Sequence, residues 1–251
     1  MQRFKNKTIL ITGASSGIGL AGAEQLVKEG AKLVITGRTH SRLEKALDYL
    51  GKNTIGILDD VSDGKTIDRL LPIVKEIGAL DGLWLNAAYA VGGAIETMDK
   101  DSIAQMFQVN VFAPMLQMGA LSPYLKEGAS VVVTSSSAVY EGQPNVSLYS
   151  ASKAAILSAA RCWAAELAPR HIRVNTLVPG PIKSNLRAIL PDELRQQFEE
   201  DLAKVVLLKR VGEPNEASAV ALFLLSDEAS YVTGSSFTVD GGLLMQQLIK
   251  N

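Results

Sequence analysis

The chain has 251 residues, 47% of them hydrophobic, which is ample for one packed core, and 25 Lys+Arg against 26 Asp+Glu leave a formal net charge of −1. Near-neutrality removes any electrostatic reason to expect nucleic acid or an anionic membrane surface as a partner, and no apolar run approaches the length of a membrane span. The single cysteine, Cys162, excludes an internal disulfide framework and suits a reducing compartment. Residues 1–7 are basic, but Thr12-Gly13 breaks the apolar run that follows, so no secretory signal is expected and the cytoplasm is the indicated location.

In chain order, short β-branched runs alternate with longer amphipathic segments. A strand over 7–12, a helix over about 17–29 and a strand over 32–36 make a βαβ unit. At its first junction stand Thr12-Gly13-Ala14-Ser15-Ser16-Gly17-Ile18-Gly19. Gly13, Gly17 and Gly19 keep side chains away from a pyrophosphate approaching the helix N-terminus, where free N–H groups and the helix dipole face the anion. Such a turn also serves as a plain tight connection with Ser15 or Ser16 as N-cap, but its place at the first strand–helix junction favours a dinucleotide. The second strand is followed by Gly37-Arg38-Thr39 and offers no carboxylate to a ribose 2′-hydroxyl. Arg38 can instead grip a 2′-phosphate, with Gly37 leaving room, which points to NADP(H); a plain surface arginine is the other reading.

Further strands are expected over 54–58, 82–85, 130–134, 173–178 and 236–239, seven in all. Val131-Val132-Val133 is apolar without alternation, as in a parallel strand covered on both faces, so the fold class is α/β: a doubly wound seven-stranded parallel sheet flanked by helices. Residues 1–251 read as one domain, and the polar stretch 184–210, which such a sheet does not require, reads as a substrate lid. A long helix is expected over 101 to about 126. Pro114 within it cannot donate to the carbonyl of Asn110, which is freed to hold a water. Lys153 follows Tyr149 by one helical turn, so its ammonium favours the phenolate and brings a tyrosine of ordinary pKa of about 10 toward neutral-pH acid–base work.

The glycine spacing, Asn110, Ser136 and the Tyr149-x-x-x-Lys153 pair together resemble the short-chain dehydrogenase/reductase family, a Rossmann-fold family, over nearly the whole chain. Asp60-Val61, Asn86-Ala87-Ala88, Pro179-Gly180 and Val239-Asp240-Gly241-Gly242 extend the resemblance. Two departures stand out: Leu85-Asn86-Ala87-Ala88 replaces the family's Asn-Asn-Ala-Gly, and Ser184 replaces its usual threonine. The resemblance implies that Tyr149 protonates a carbonyl oxygen as hydride arrives and that Ser136 hydrogen-bonds that oxygen. It further implies that Lys153 holds the nicotinamide ribose and that Asn110 anchors a proton-relay water. Asp60 and Val61 would flank the adenine, Asn86 and Ala87 the adenosine ribose, and Ile182 and Ser184 the nicotinamide end, with Thr39, Pro179 and Gly180 alongside. A homotetramer is also implied.

Tyr89, Val139, Tyr140, Leu186 and Leu190 fall beside these loops and suggest an apolar pocket for a ketone or secondary alcohol. A 3-oxoacyl carrier-protein reductase is the rival; the basic patch it needs would rest on Lys126 and Arg170. A non-catalytic NADPH sensor or scaffold is the alternative of another class. His40 and His171 lack ligand spacing, so no metal is expected.

Overall fold

Seven strands lie parallel in one sheet in the order β3-β2-β1-β4-β5-β6-β7: β1 Thr8–Ile11, β2 Lys32–Gly37, β3 Thr54–Leu58, β4 Leu80–Leu85, β5 Leu125–Thr134, β6 Arg173–Pro179 and β7 Ser236–Val239. The computed structural model describes residues 2–183 and 192–245. All seven expected strands are present, and β3 and β7 have the expected bounds.

Alternate residues of each central strand enter opposite cores. Ile9, Ile11, Leu33, Ile35 and Val132 pack with Leu26 of α1 (Gly17–Lys28), Leu43 of α2 (His40–Leu50) and Leu222 of α9 (Pro214–Leu225). Leu10, Val34, Val131 and Val133 pack instead with Leu70 of α3 (Thr66–Ile77), Leu121 of α5 (Ala113–Leu121) and Ile156 of α7 (Ser147–Leu167). Each such side chain contributes about 1.5–3 kcal/mol of burial, so the sheet is held from both faces, and this is why its strands read as unbroken apolar runs.

The chain reverses its winding between β1 and β4, and the loops after these strands form the crevice where doubly wound sheets bind ligands. The remaining helices are α4 (Lys100–Phe107), α6 (Ala138–Glu141) and α8 (Asp192–Val205). The expected single helix over 101–126 is corrected. It is α4, a π turn over Gln108–Phe112, α5, and a 3₁₀ turn over Ser122–Tyr124, after which Lys126 already belongs to β5. In the π turn the Ala113 N–H reaches back to the Gln108 carbonyl, one residue further than an α bond, and Pro114 next to it has no N–H for Asn110.

Candidate active site

The first loop is held by threonines that the motif reading passed over. Thr12 Oγ1 accepts from the backbone N–H of Asn86 at 2.9 Å and of Ala87 at 3.1 Å, and Thr36 Oγ1 accepts from Gly13 N at 3.1 Å. Gly13 has φ 66° and a Cβ there would stand 2.7 Å from Ala87 Cα; at Gly19 it would stand 2.6 Å from the Gly13 oxygen and 2.7 Å from Asn86 Nδ2. The glycines thus let the loops after β1 and β4 touch, besides keeping the helix N-terminus clear. Ser16 is the N-cap of α1, yet its side chain makes no capping bond, so the plain-cap alternative loses its physical basis. Ile18 and Ser15 lie beside it, half-buried.

Arg38 projects from the end of β2, exposed and without an ion-pair partner among the described residues. Gly37 does not simply make room for a phosphate: a Cβ there would lie 2.7 Å from Ser15 Oγ, so the glycine admits Ser15. Thr39 caps α2 by position without a side-chain capping bond.

After β3, Asp60 Oδ1 accepts from the N–H and hydroxyl of Ser62, at 3.0 and 2.7 Å. Val61 forms a small apolar cluster with Val109 and Ala113, and Tyr89 packs against it. Tyr89, expected on the substrate side, is half-buried.

The expected catalytic set converges at the ends of β5 and α7. Lys153 is wholly buried, its Nζ donates to the Thr134 carbonyl at 2.9 Å, and it lies 6.0 Å from the Tyr149 ring centroid. Burial pushes its pKa down to about 8. Ser135 Oγ donates to the Lys153 carbonyl at 3.0 Å and Ser150 Oγ to that of Ala138 at 2.9 Å, which fastens α7 to the loop carrying Ser136. Ser136 Oγ accepts from Ala138 N at 3.2 Å, and Val139 follows on α6, half-buried. Asn110 turns its side chain inward: Oδ1 accepts from Tyr89 N and Nδ2 donates to Tyr89 O, both at 2.8 Å, and Nδ2 also donates to Ser152 Oγ at 3.0 Å. Ser152 in turn donates to the Tyr149 carbonyl at 2.7 Å.

Thr134 joins this centre to the first loop, and sequence reasoning missed it. Its hydroxyl accepts from Trp84 Nε1 at 2.9 Å and donates to Asn86 Oδ1 at 3.2 Å, and Asn86 Nδ2 donates to Gly13 O at 3.1 Å. No local pattern marks such a hub, because its partners are distant in sequence: Trp84 and Asn86 at the end of β4 and Lys153 on α7.

At the far side a Cβ on Gly180 would lie 2.6 Å from Asp240 Cβ, so Pro179-Gly180 packs on the loop after β7, and Ile182 pairs with Gly212 in an isolated parallel bridge. Ser184, Leu186 and Leu190 lie outside the described residues. Both basic residues considered for a carrier protein are engaged: Lys126 with Asp81 at 2.8 Å, and Arg170 with the carbonyls of Ser122 and Leu125. Among the described residues no group of three or more His, Cys, Asp or Glu is placed to hold a metal, and no helix is long and apolar enough to cross a membrane.

Fold and crevice define an α/β protein of the dinucleotide-binding class. A family model described as Enoyl-(Acyl carrier protein) reductase matches residues 13–244. The chain is 36% identical over 246 residues to "Oxidoreductase asL5" of Sarocladium schorii, covering 97% of this chain and 98% of that one. It is 35% identical to human "Dehydrogenase/reductase SDR family member 4", covering 94% and 87%. Among solved structures, a Caenorhabditis elegans short-chain dehydrogenase/reductase of unknown function, with cofactor, superposes with TM-score 0.90 at 29% identity over 97% of both chains. One described provisionally as a betaketoacyl-ACP reductase does so with TM-score 0.83 at 33% identity, over 96% of this chain and 99% of that one. The chain belongs to the short-chain dehydrogenase/reductase family. It is therefore an oxidoreductase of hydroxyl and carbonyl groups that uses a nicotinamide cofactor, NAD or NADP.

Proposed function

We propose that this chain is an NADP(H)-dependent reductase of ketones, or equally a dehydrogenase of secondary alcohols, with Tyr149 as general acid and base. The observation that carries the reading is the placement of Lys153: a buried ammonium one helical turn from Tyr149, at the end of the strand that delivers Ser136. Residues are available for each part of a dinucleotide. The uncapped α1 N-terminus behind Gly13, Ser15, Ser16, Gly17, Ile18 and Gly19 would take the pyrophosphate. Arg38 and Thr39 would take a 2′-phosphate, Asp60 and Val61 the adenine, and Asn86 and Ala87 its ribose. Tyr89, its backbone held by the Asn110 side chain, would line the substrate side with Val139. Lys153 would hold the nicotinamide ribose, while Pro179, Gly180 and Ile182 line the nicotinamide end. The bound nicotinamide supplies or accepts the hydride. The protein's own share is to hold the substrate oxygen between Ser136 and Tyr149, deliver the Tyr149 proton to it, and refill that proton past Lys153 and the Asn110 carbonyl.

Exposed apolar side chains at Phe112, Met115 and Leu116, and at Leu207, Leu208 and Tyr231, support a homotetramer. One domain over 1–251, a lid within 184–210 and a cytoplasmic location complete the reading.

The family model's description keeps a carrier-protein thioester as the second reading. Against it, Lys126 and Arg170 are spent internally and exposed Glu127 would repel an acidic partner. The test is NADPH oxidation across aliphatic, aryl and cyclic ketones and a 3-oxoacyl thioester, with Tyr149→Phe in parallel. Ketone turnover that the variant loses is expected. Preference for the thioester would install the rival, and NADPH binding without any turnover would indicate a sensor.

A further inference from the structure

We infer that Arg69 is a positioning residue for adenine recognition, acting through the loop that carries Asp60 and Val61. The inference rests on the proposed NADP(H) site. Three carboxylates, Asp59, Asp60 and Asp63, crowd within five residues at the end of β3. Left alone they would repel one another and splay the loop. Arg69, rising from α3, gathers two of them: Nη1 lies 2.8 Å from Asp59 Oδ1 and 3.1 Å from Asp63 Oδ1, and Nη2 pairs with Asp63 Oδ2. The same Nη1 reaches the Asp60 carbonyl at 3.4 Å.

The anchor is buried. The Asp59 side chain is 0% exposed and its second oxygen accepts from Thr66 Oγ1 at 2.7 Å; Thr66 Oγ1 in turn accepts from Gln117 Nε2 at 2.8 Å. A carboxylate is kept in the interior only with full partnering, and here both partners, Thr66 and Arg69, come from α3, with Gln117 of α5 behind Thr66. On the opposite side Gln108 Nε2 donates to the Val61 carbonyl at 3.3 Å. The loop is therefore fixed from both sides. Asp60 is the one acid of the three that Arg69 does not neutralise through its carboxylate. Its Oδ1 is used by Ser62, while Oδ2 accepts no hydrogen bond among the described residues. An exposed carboxylate oxygen held in a fixed place is an acceptor for an exocyclic amine, which adenine has and hypoxanthine lacks.

Arg69 thus converts a repelling acidic run into a single aimed acceptor, and its effect is read as base discrimination. The experiment compares dissociation constants of NADPH and its hypoxanthine analogue by fluorescence titration for the full-length protein, Arg69→Met and Asp63→Asn, with KM and kcat wherever turnover is measurable. The unaltered protein is expected to prefer NADPH. Arg69→Met is expected to reduce that preference about tenfold, with the loss appearing in cofactor KM more than in kcat. Asp63→Asn alters an exposed side chain, folds independently of the buried pair, and is expected to reduce it about threefold.

Equal weakening of both nucleotides, or unchanged preference in either soluble variant, would overturn the positioning role. If the unaltered protein binds neither nucleotide, the NADP(H) reading itself fails. If it binds both equally, that reading stands and the adenine inference falls.

Discussion

The Lys153 ammonium sits 2.9 Å from the carbonyl of Thr134, the last residue of β5, and the hydroxyl of the same threonine reaches Asn86 at 3.2 Å. One residue therefore spaces the proposed proton-handling lysine from the loop that braces the nucleotide turn. The lysine is placed before any ligand arrives, at an electrostatic cost.

That cost sets the first prediction. Burial lowers the Lys153 pKa from its ordinary 10.5 to about 8, a change worth about 3 kcal/mol. Below about pH 8 both folded and unfolded chains carry the charge, and the folded state bears the whole penalty. Between about pH 8 and 10.5 the folded chain releases the proton first, so the penalty fades as pH rises. Lys153→Met also strands the Thr134 carbonyl, at about 1 kcal/mol. The ligand-free variant is thus expected to be more stable than its parent at pH 7 by about 2 kcal/mol while losing turnover. The two melting temperatures should converge by pH 10, and a constant gap across that range would refute the burial account.

Arg38→Ala is expected to weaken NADPH binding about tenfold or more and to leave NADH binding within about twofold, because the proposed role of Arg38 is a charge-assisted bond to the 2′-phosphate, which NADH lacks. Parallel titrations decide it. Equal losses for both cofactors would return Arg38 to an ordinary surface residue.

Much of this was legible from local sequence. The glycine turn, Arg38, Asp60 and the Tyr149–Lys153 pair each lie within one loop or helical turn, where spacing alone dictates who meets whom. The seven strands were legible because both faces of the sheet are covered and the runs are unbroken. What sequence could not show depends on distant partners. Asp59 looks like one more surface acid until Arg69 and Thr66 close on it, and Thr134 looks like a strand end until Trp84, Asn86 and Lys153 converge there. The clamp of the Asn110 side chain on the Tyr89 backbone is likewise a long-range pairing that no local pattern announces. The break at the π turn was half legible: Pro114 signalled an interruption, but nothing local showed that the helix would widen over Gln108–Phe112, upstream of it.

Gly22 tests the packing between α1 and the sheet. A Cβ there would stand 2.3 Å from Cζ3 of Trp84, whose ring is fully buried. Gly22→Ala is expected to cost about 1–3 kcal/mol by overpacking. Trp84→Phe alone also destabilises, by removing volume and the indole donor to Thr134. Combined, the smaller ring makes room for the methyl, so denaturant unfolding of the pair should show a loss smaller than the sum by about 1 kcal/mol or more. Strict additivity would mean that α1 shifts away from the ring.

Pro114→Ala isolates the relay proposed at Asn110. The proline leaves the Asn110 carbonyl without the α-helical donor that residue 114 would normally supply, while the Asn110 side chain is fully used by Tyr89 and Ser152. Alanine restores an N–H aimed at that carbonyl and competes with water for it, without touching the side-chain clamp. Ligand affinity should therefore be retained, with cofactor KM within about twofold, while kcat falls about tenfold as refilling of the Tyr149 proton slows. The solvent deuterium isotope effect on kcat should grow for the same reason. A normal kcat with an unchanged isotope effect would leave the π turn a matter of packing between α4 and α5, and proton supply to Tyr149 would have to reach it by another path.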